Sequence, residues 1–156
     1  NHDTIKSNIQ RILWHLLRGS TCRAYSSDMK VYISETRYFH PDVTVTCDPR
    51  DRGRVQAIQS PRLIVEVLSP TTELTDRTSV SRKLKNYCAH PTIEEYLLVD
   101  SQSLKIESYH KEQNRWIYEA FENTDDITLH SLGVQFALAD AYIDVEFEET
   151  AGNTNL

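Results

Sequence analysis

The first regular pattern along the chain is a set of apolar residues at helical spacing. In DTIKSNIQRILWHLLRG, Ile5, Ile9, Ile12, Leu13, Leu16 and Leu17 fall on one stripe, with Asp3 or Thr4 placed to cap the start and Gly19 to end it. The period then drops to two. Met29, Val31 and Ile33 alternate with polar residues. After the turn-like SETR, the segment YFHPDVTVTC alternates Val43, Val45 and Cys47, so a hairpin is expected around Ser34–Arg37. DPRDRGRVQAIQSP is a loop, punctuated by Pro49, Gly53 and Pro61 and charged by Arg50, Arg52 and Arg54. RLIVEVLS differs from these strands because nearly every position is apolar, as in a strand covered on both faces. After a stretch of caps and turns, a second helix turns Val80, Leu84, Tyr87 and Cys88 toward the core, and IEEYLLVD is another buried strand. LKIESYH and RWIYEAF form a hairpin around KEQN, ITLHSLGVQFAL carries the last alternating strand, and Leu138–Tyr142 a short helical turn. This order predicts an α/β or α+β fold, a mixed central β-sheet flanked by helices. A single domain is expected over residues 1–148, with a polar tail over 149–156.

Composition narrows the class. A chain of 156 residues, 39% hydrophobic and 26% charged, suits a globular domain with a real core. No apolar run reaches membrane-spanning length. No signal-peptide pattern opens the chain, which starts at Asn1 without Met, as if something upstream had been removed or left out. Cys22, Cys47 and Cys88 are odd in number and far apart, with no C-x-x-C pair, so reduced thiols in a cytoplasmic protein are expected. The net charge of −6 argues against a general nucleic-acid binder. Its distribution changes that picture: residues 1–88 carry 14 Lys+Arg against 9 Asp+Glu, and residues 89–156 carry 3 against 14. An anionic polymer is expected to approach the first half and be repelled by the second.

Two acids interrupt the apolar strands. Asp42 follows Pro41 at a strand start, where proline is tolerated, and Glu66 stands between LIV and VL. A carboxylate in a buried strand needs a cation or several donors. Two of them on adjacent strands can share Mg²⁺, a hard ion that takes oxygen ligands and keeps several waters. Such an ion can activate water and neutralise charge on a phosphate, and a nearby lysine can orient the water or stabilise developing charge. With a phosphodiester as substrate, these parts make a nuclease.

HPDVTVTCD, PRLIVEVLSPTTE and IEEYLLVD, with SSDMKV leading into the first, resemble the PD-(D/E)XK nuclease superfamily, and within it a bacterial restriction-endonuclease-like branch of uncertain function. The resemblance runs from about His2 through LADAY. It implies a restriction-endonuclease-like core and Mg²⁺-dependent cleavage of DNA. Asp42 takes the place of the PD aspartate, Glu66 that of the second acid, and the Val67 carbonyl that of the third metal contact. Where the simplest motif has its lysine, this chain has Leu68. The branch instead carries one on the next helix in a K-L-x-x-Y pattern, which KLKNY matches, making Lys83 the candidate, Tyr87 its companion and Lys85 the reserve. DRTSVSRK inserts three residues between Asp76 and Lys83 relative to that branch, close to one helical turn.

The remaining candidates are local. Asp28 can face the acids from the preceding strand, His40 can hydrogen-bond beside them, and Arg50, Arg52, Arg54 and Arg62 can contact phosphates. His2, His15, His40, His90, His110 and His130 lack the spacing of a metal cluster, and no glycine-rich phosphate loop or G-x-S-x-G elbow is present. Two other readings use the same fold: a catalytically inactive nucleic-acid-binding module, and a protein-interaction domain using the acidic half. A homodimer, with RWIYEAF as a candidate interface, would bring two sites to a duplex.

Overall fold

The computed structural model describes residues 1–53, 56–70 and 77–148. Arg54, Asp76, the side chain of Val80 and the tail 149–156 lie outside the described residues. In chain order the elements are α1 (His2–Leu16), β1 (Arg23–Ser26), β2 (Lys30–Tyr32), β3 (Tyr38–Phe39), β4 (Val43–Thr46), β5 (Ala57–Ile58), β6 (Pro61–Leu68), α2 (Arg77–Ala89), β7 (Glu95–Asp100), β8 (Lys105–Glu112), β9 (Arg115–Glu122), β10 (Asp126–Leu129), β11 (Val134–Ala137) and α3 (Leu138–Ala141). No described helix is long and apolar enough to cross a membrane.

The main sheet has the order β1-β4-β6-β7-β8-β9. β6 and β7 run parallel with α2 between them in sequence, and the other neighbours are antiparallel, which makes the sheet mixed as expected. Register sorts the side chains onto two faces, because alternate strand residues point opposite ways. Val43, Val45, Leu63, Val65, Leu97, Val99 and Ile106 share one face and pack beneath α1 and the β10–β11 hairpin. Ile64, Tyr96 and Leu98 share the other, packed with Tyr87 of α2 and Val31 and Ile58 of the small β3-β2-β5 sheet.

α1 follows the apolar stripe, but on a narrower line. Ile5, Ile9, Leu13 and Leu17, each four residues on, are buried, whereas Ile12 is partly covered and Leu16 is exposed. Full burial of each such aliphatic side chain contributes roughly 1.5–3 kcal/mol. Asn1, rather than Asp3 or Thr4, stands at the N-cap, and its side-chain amide donates to the Glu146 carbonyl. Gly19 sits in the left-handed region (φ +79°) just beyond the helix, as a terminating glycine should.

Two of the expected strands are each a pair. YFHPDVTVTC divides at His40–Pro41: β3 pairs with β2 through the Ser34–Arg37 turn, while β4 joins the main sheet between β1 and β6. Proline lacks the N–H a ladder needs, so the break falls there. β4 is buried at every position instead of alternating, because it lies inside the sheet under both layers. ITLHSLGVQFAL likewise folds back on itself as β10 and β11, with Gly133 at φ +66° in the turn.

The cysteine expectation is overturned. Cys22 and Cys47 form a disulfide with 3.9 Å between their Cα atoms, and Cys88 alone is free. The cause is register: Arg23 pairs with Thr46 across β1 and β4, so the residue before one and the residue after the other face each other. A sequence separation of 25 carries no sign of that contact. The cytoplasmic placement drawn from reduced thiols loses that support.

Candidate functional site

β4 and β6 set the acids side by side. Val43 pairs with Val65, and the same antiparallel register carried one step further puts Asp42 opposite Glu66, on the face covered by α2. Asp42 lies just beyond the end of β4, and its Oδ2 accepts the Val67 N–H at 2.8 Å. The carboxylate thus takes up a strand donor where the β4 ladder has stopped. His2 comes from the start of α1, with Nε2 at 3.3 Å from the same oxygen.

Glu66 is 9% exposed in the middle of an apolar strand. Its Oε1 accepts the Tyr87 hydroxyl at 2.9 Å, and Lys83 Nζ stands 3.6 Å from it. Both groups come from α2, where residues four apart stack on one face. Lys83 therefore reaches Glu66 in company with Tyr87, whereas Lys85 is exposed. Burial pushes the Glu66 carboxyl above the ordinary glutamate value; the Lys83 charge pulls it back, and the Asp42 charge pushes it further up. Burial and the Glu66 charge also push the Tyr87 hydroxyl far above the usual tyrosine range, so it remains a donor.

The arrangement fits a hard divalent cation. Among the described residues, hydrogen bonds and ion pairs engage Oδ2 of Asp42 and Oε1 of Glu66, so each carboxylate keeps a second oxygen. Like charges on adjacent strands, one of them in a carboxyl already shifted upward, are what a cation between them would relieve. Val67 turns its N–H toward Asp42, and a strand residue directs its N–H and C=O to the same side. The carbonyl named by the motif therefore lies on the Asp42 side.

The other candidates are placed elsewhere. Asp28 is exposed in the β1–β2 turn, and His40 Nδ1 meets the Ser27 carbonyl at 3.0 Å. Arg50 chelates Asp48, holding that carboxyl far below the usual range, and Arg52 donates to the Thr21 carbonyl. Arg62 is half-buried on β6. His2 gave no sequence signal at all, since only the packing of α1 brings it to Asp42. The histidines also depart from expectation: His110 and His130 stack with ring centroids 4.0 Å apart beside Glu119.

Comparison with known proteins agrees with this architecture. Residues 1–144 match the family Uma2, described as "Putative restriction endonuclease". An uncharacterized protein of Synechocystis sp. is 40% identical over 149 residues, covering 94% of this chain and 77% of the relative. A second uncharacterized Synechocystis protein is 33% identical over 121 residues, covering 75% and 67%. In three dimensions the chain is similar to a "putative nuclease belonging to DUF820" from Anabaena variabilis, with TM-score 0.70 and 18% identity over 91% of this chain and 80% of that one. At that identity the likeness speaks to the fold.

Proposed function

The chain belongs to the Uma2 family, of restriction-endonuclease-like PD-(D/E)XK type, and from that membership and the acid geometry we propose that it is a Mg²⁺-dependent endodeoxyribonuclease. The observation that carries the reading is the convergence on one strand junction of Asp42, Glu66 and a helix lysine 3.6 Å from the latter. Asp42, Glu66 and the Val67 carbonyl would hold the ion. Bound there, Mg²⁺ supplies charge neutralisation for the phosphate and a lowered pKa for water. The Tyr87 hydroxyl holds the Glu66 carboxylate and the Val67 N–H holds Asp42, so the acids need little rearrangement to receive it. Lys83, 41% exposed, is held by α2 where it can position the attacking water or meet charge developing on the phosphate. Lys83 on α2 replaces the lysine missing at Leu68. Arg82 and Lys85 lie exposed on the same helix, within the basic half of the chain, and favour a polyanion. Cutting both strands of a duplex needs two sites, which a homodimer would supply; β9 is a strand edge of the sheet, and its Tyr118 is 50% exposed.

Supercoiled plasmid incubated with the chain tests this directly. Cleavage is expected with Mg²⁺ and not with chelator. Glu66→Gln and Lys83→Gln should each lower the rate by about 10²–10³, the usual effect of removing one preorganised group. Cleavage by Glu66→Gln at the wild-type rate would end the assignment. Salt-sensitive DNA binding without any cleavage would mark the inactive binding module instead.

A further inference from the structure

On the sheet face opposite Glu66, we propose that His110, Glu119 and His130 form a binding site for a first-row divalent transition metal, Zn²⁺ foremost. The inference does not rest on the nuclease reading. Register builds it: Ser108 pairs with Glu119 and His110 with Ile117, so His110 and Glu119 are diagonal neighbours on one face of β8 and β9. His130 arrives from the turn after β10. That turn is clamped by Glu95, which accepts the His130 and Ser131 N–H groups and itself pairs with His110 across β7 and β8.

The distances suit a metal. The ligand atoms all lie within 4.8 Å of one another. Glu119 Oε1 is 3.5 Å from His110 Nδ1 and 3.4 Å from His130 Nε2. A tetrahedral site with metal–nitrogen bonds of 2.0–2.1 Å has ligand–ligand edges of about 3.3 Å. The edge between the stacked imidazoles is the one left to close, and His130, 40% exposed, has room to turn.

The hydrogen bonding leaves a place for the cation. His110 is 2% exposed, and its Nε2 meets Glu112 Oε1 at 3.4 Å. An ionised carboxylate only accepts, so Nε2–H is the donor and, in the neutral ring, Nδ1 carries a lone pair. That Nδ1 is buried without a hydrogen-bond partner among the described residues, although it faces the Glu119 carboxylate. A lone pair and a carboxylate oxygen 3.5 Å apart are satisfied by a cation between them. A carboxylate behind a ligating histidine is also the usual outer support of such sites. Two imidazoles and one carboxylate select Zn²⁺-like ions over Mg²⁺, and the half-exposed His130 and Glu119 leave a fourth position open to solvent.

Co²⁺ added to the metal-stripped chain is the probe. Its visible bands for a four- or five-coordinate site should grow to one equivalent and be displaced by Zn²⁺, which should raise the melting temperature. His110 is buried, so its replacement tests folding as well as binding, and the exposed ligands carry the experiment. His130→Gln and Glu119→Gln should lose the bands. Glu112→Gln should keep them with affinity about 10–100-fold weaker. Glu66→Gln should leave them unchanged. Absence of bands in the wild type, their survival in His130→Gln, or their loss in Glu66→Gln would each overturn the site.

Discussion

Glu66 and Glu95 are buried glutamates on neighbouring parallel strands, and their surroundings have almost nothing in common. Glu95 is fully buried. Its Oε1 accepts the Ser131 N–H at 2.9 Å and hydroxyl at 2.6 Å, and its Oε2 accepts the His130 N–H at 3.2 Å. Asp51 is solvated in the same manner by the Thr46 hydroxyl and the Gln59 and Ser60 N–H groups. These acids are met by neutral donors and clamp turns onto the sheet. Glu66 instead has one hydroxyl, one half-exposed lysine and a second acid opposite. A carboxylate ringed by oriented donors is a structural part; one set against another carboxylate, with a single half-exposed lysine beside it, carries like charge that a bound cation would relieve.

That contrast predicts opposite outcomes for the same substitution. Glu95→Ala orphans three donors in one turn and should lower unfolding free energy by about 3 kcal/mol or more, as hydrogen bonds to charged groups usually do. Glu66→Ala removes like-charge repulsion along with the Tyr87 bond and should cost far less while abolishing cleavage. Urea unfolding of both variants checks this, and equal losses would erase the distinction.

A smaller effect lies in pH. The folded Glu66 carboxyl titrates above its ordinary value of 4.5, so the folded chain keeps that proton in a range where the unfolded chain has lost it. Stability from this group therefore falls as pH rises from the unfolded value through the folded one, and remains lowered above it. Glu66→Gln should remove that fall, gaining on the wild type toward neutral pH, and Mg²⁺ should do the same for the wild type alone. Unfolding curves across pH 4 to 8 that stay parallel for both proteins would contradict the upward shift that burial imposes on Glu66.

The acids were legible in the sequence because Glu66 interrupts an apolar run and Asp42 opens one, a local signal that Asp51, buried from within the polar DPRDRG, does not give. The mixed sheet was legible for a similar reason: RLIVEVLS and IEEYLLVD carry their burial in composition, and α1 its stripe in period. What stayed hidden depends on register. Cys22 meets Cys47 only because β1 and β4 pair in one frame, and a slip of one residue would part them. His110, Glu119 and His130 converge through a diagonal across β8 and β9 and a turn fixed by Glu95, so their spacing along the chain says nothing. Pro41 marks a strand boundary by its missing N–H, but that β3 before it joins a different sheet follows only from the partner strands.

The smallest effect belongs to the lysines. Lys83 is 41% exposed at 3.6 Å from Glu66, so solvent screens the pair, and its loss should change stability by less than about 1 kcal/mol. Lys85, exposed two residues on, should change it by less than about 0.5 kcal/mol when replaced by Gln. The two variants thus fold almost equally well, so a difference in plasmid cleavage between them reports chemistry and not folding. If Lys83→Gln instead unfolds several times more easily than Lys85→Gln, the ion pair is part of the scaffold, and Glu66 would sit closer in kind to Glu95 than the geometry indicates.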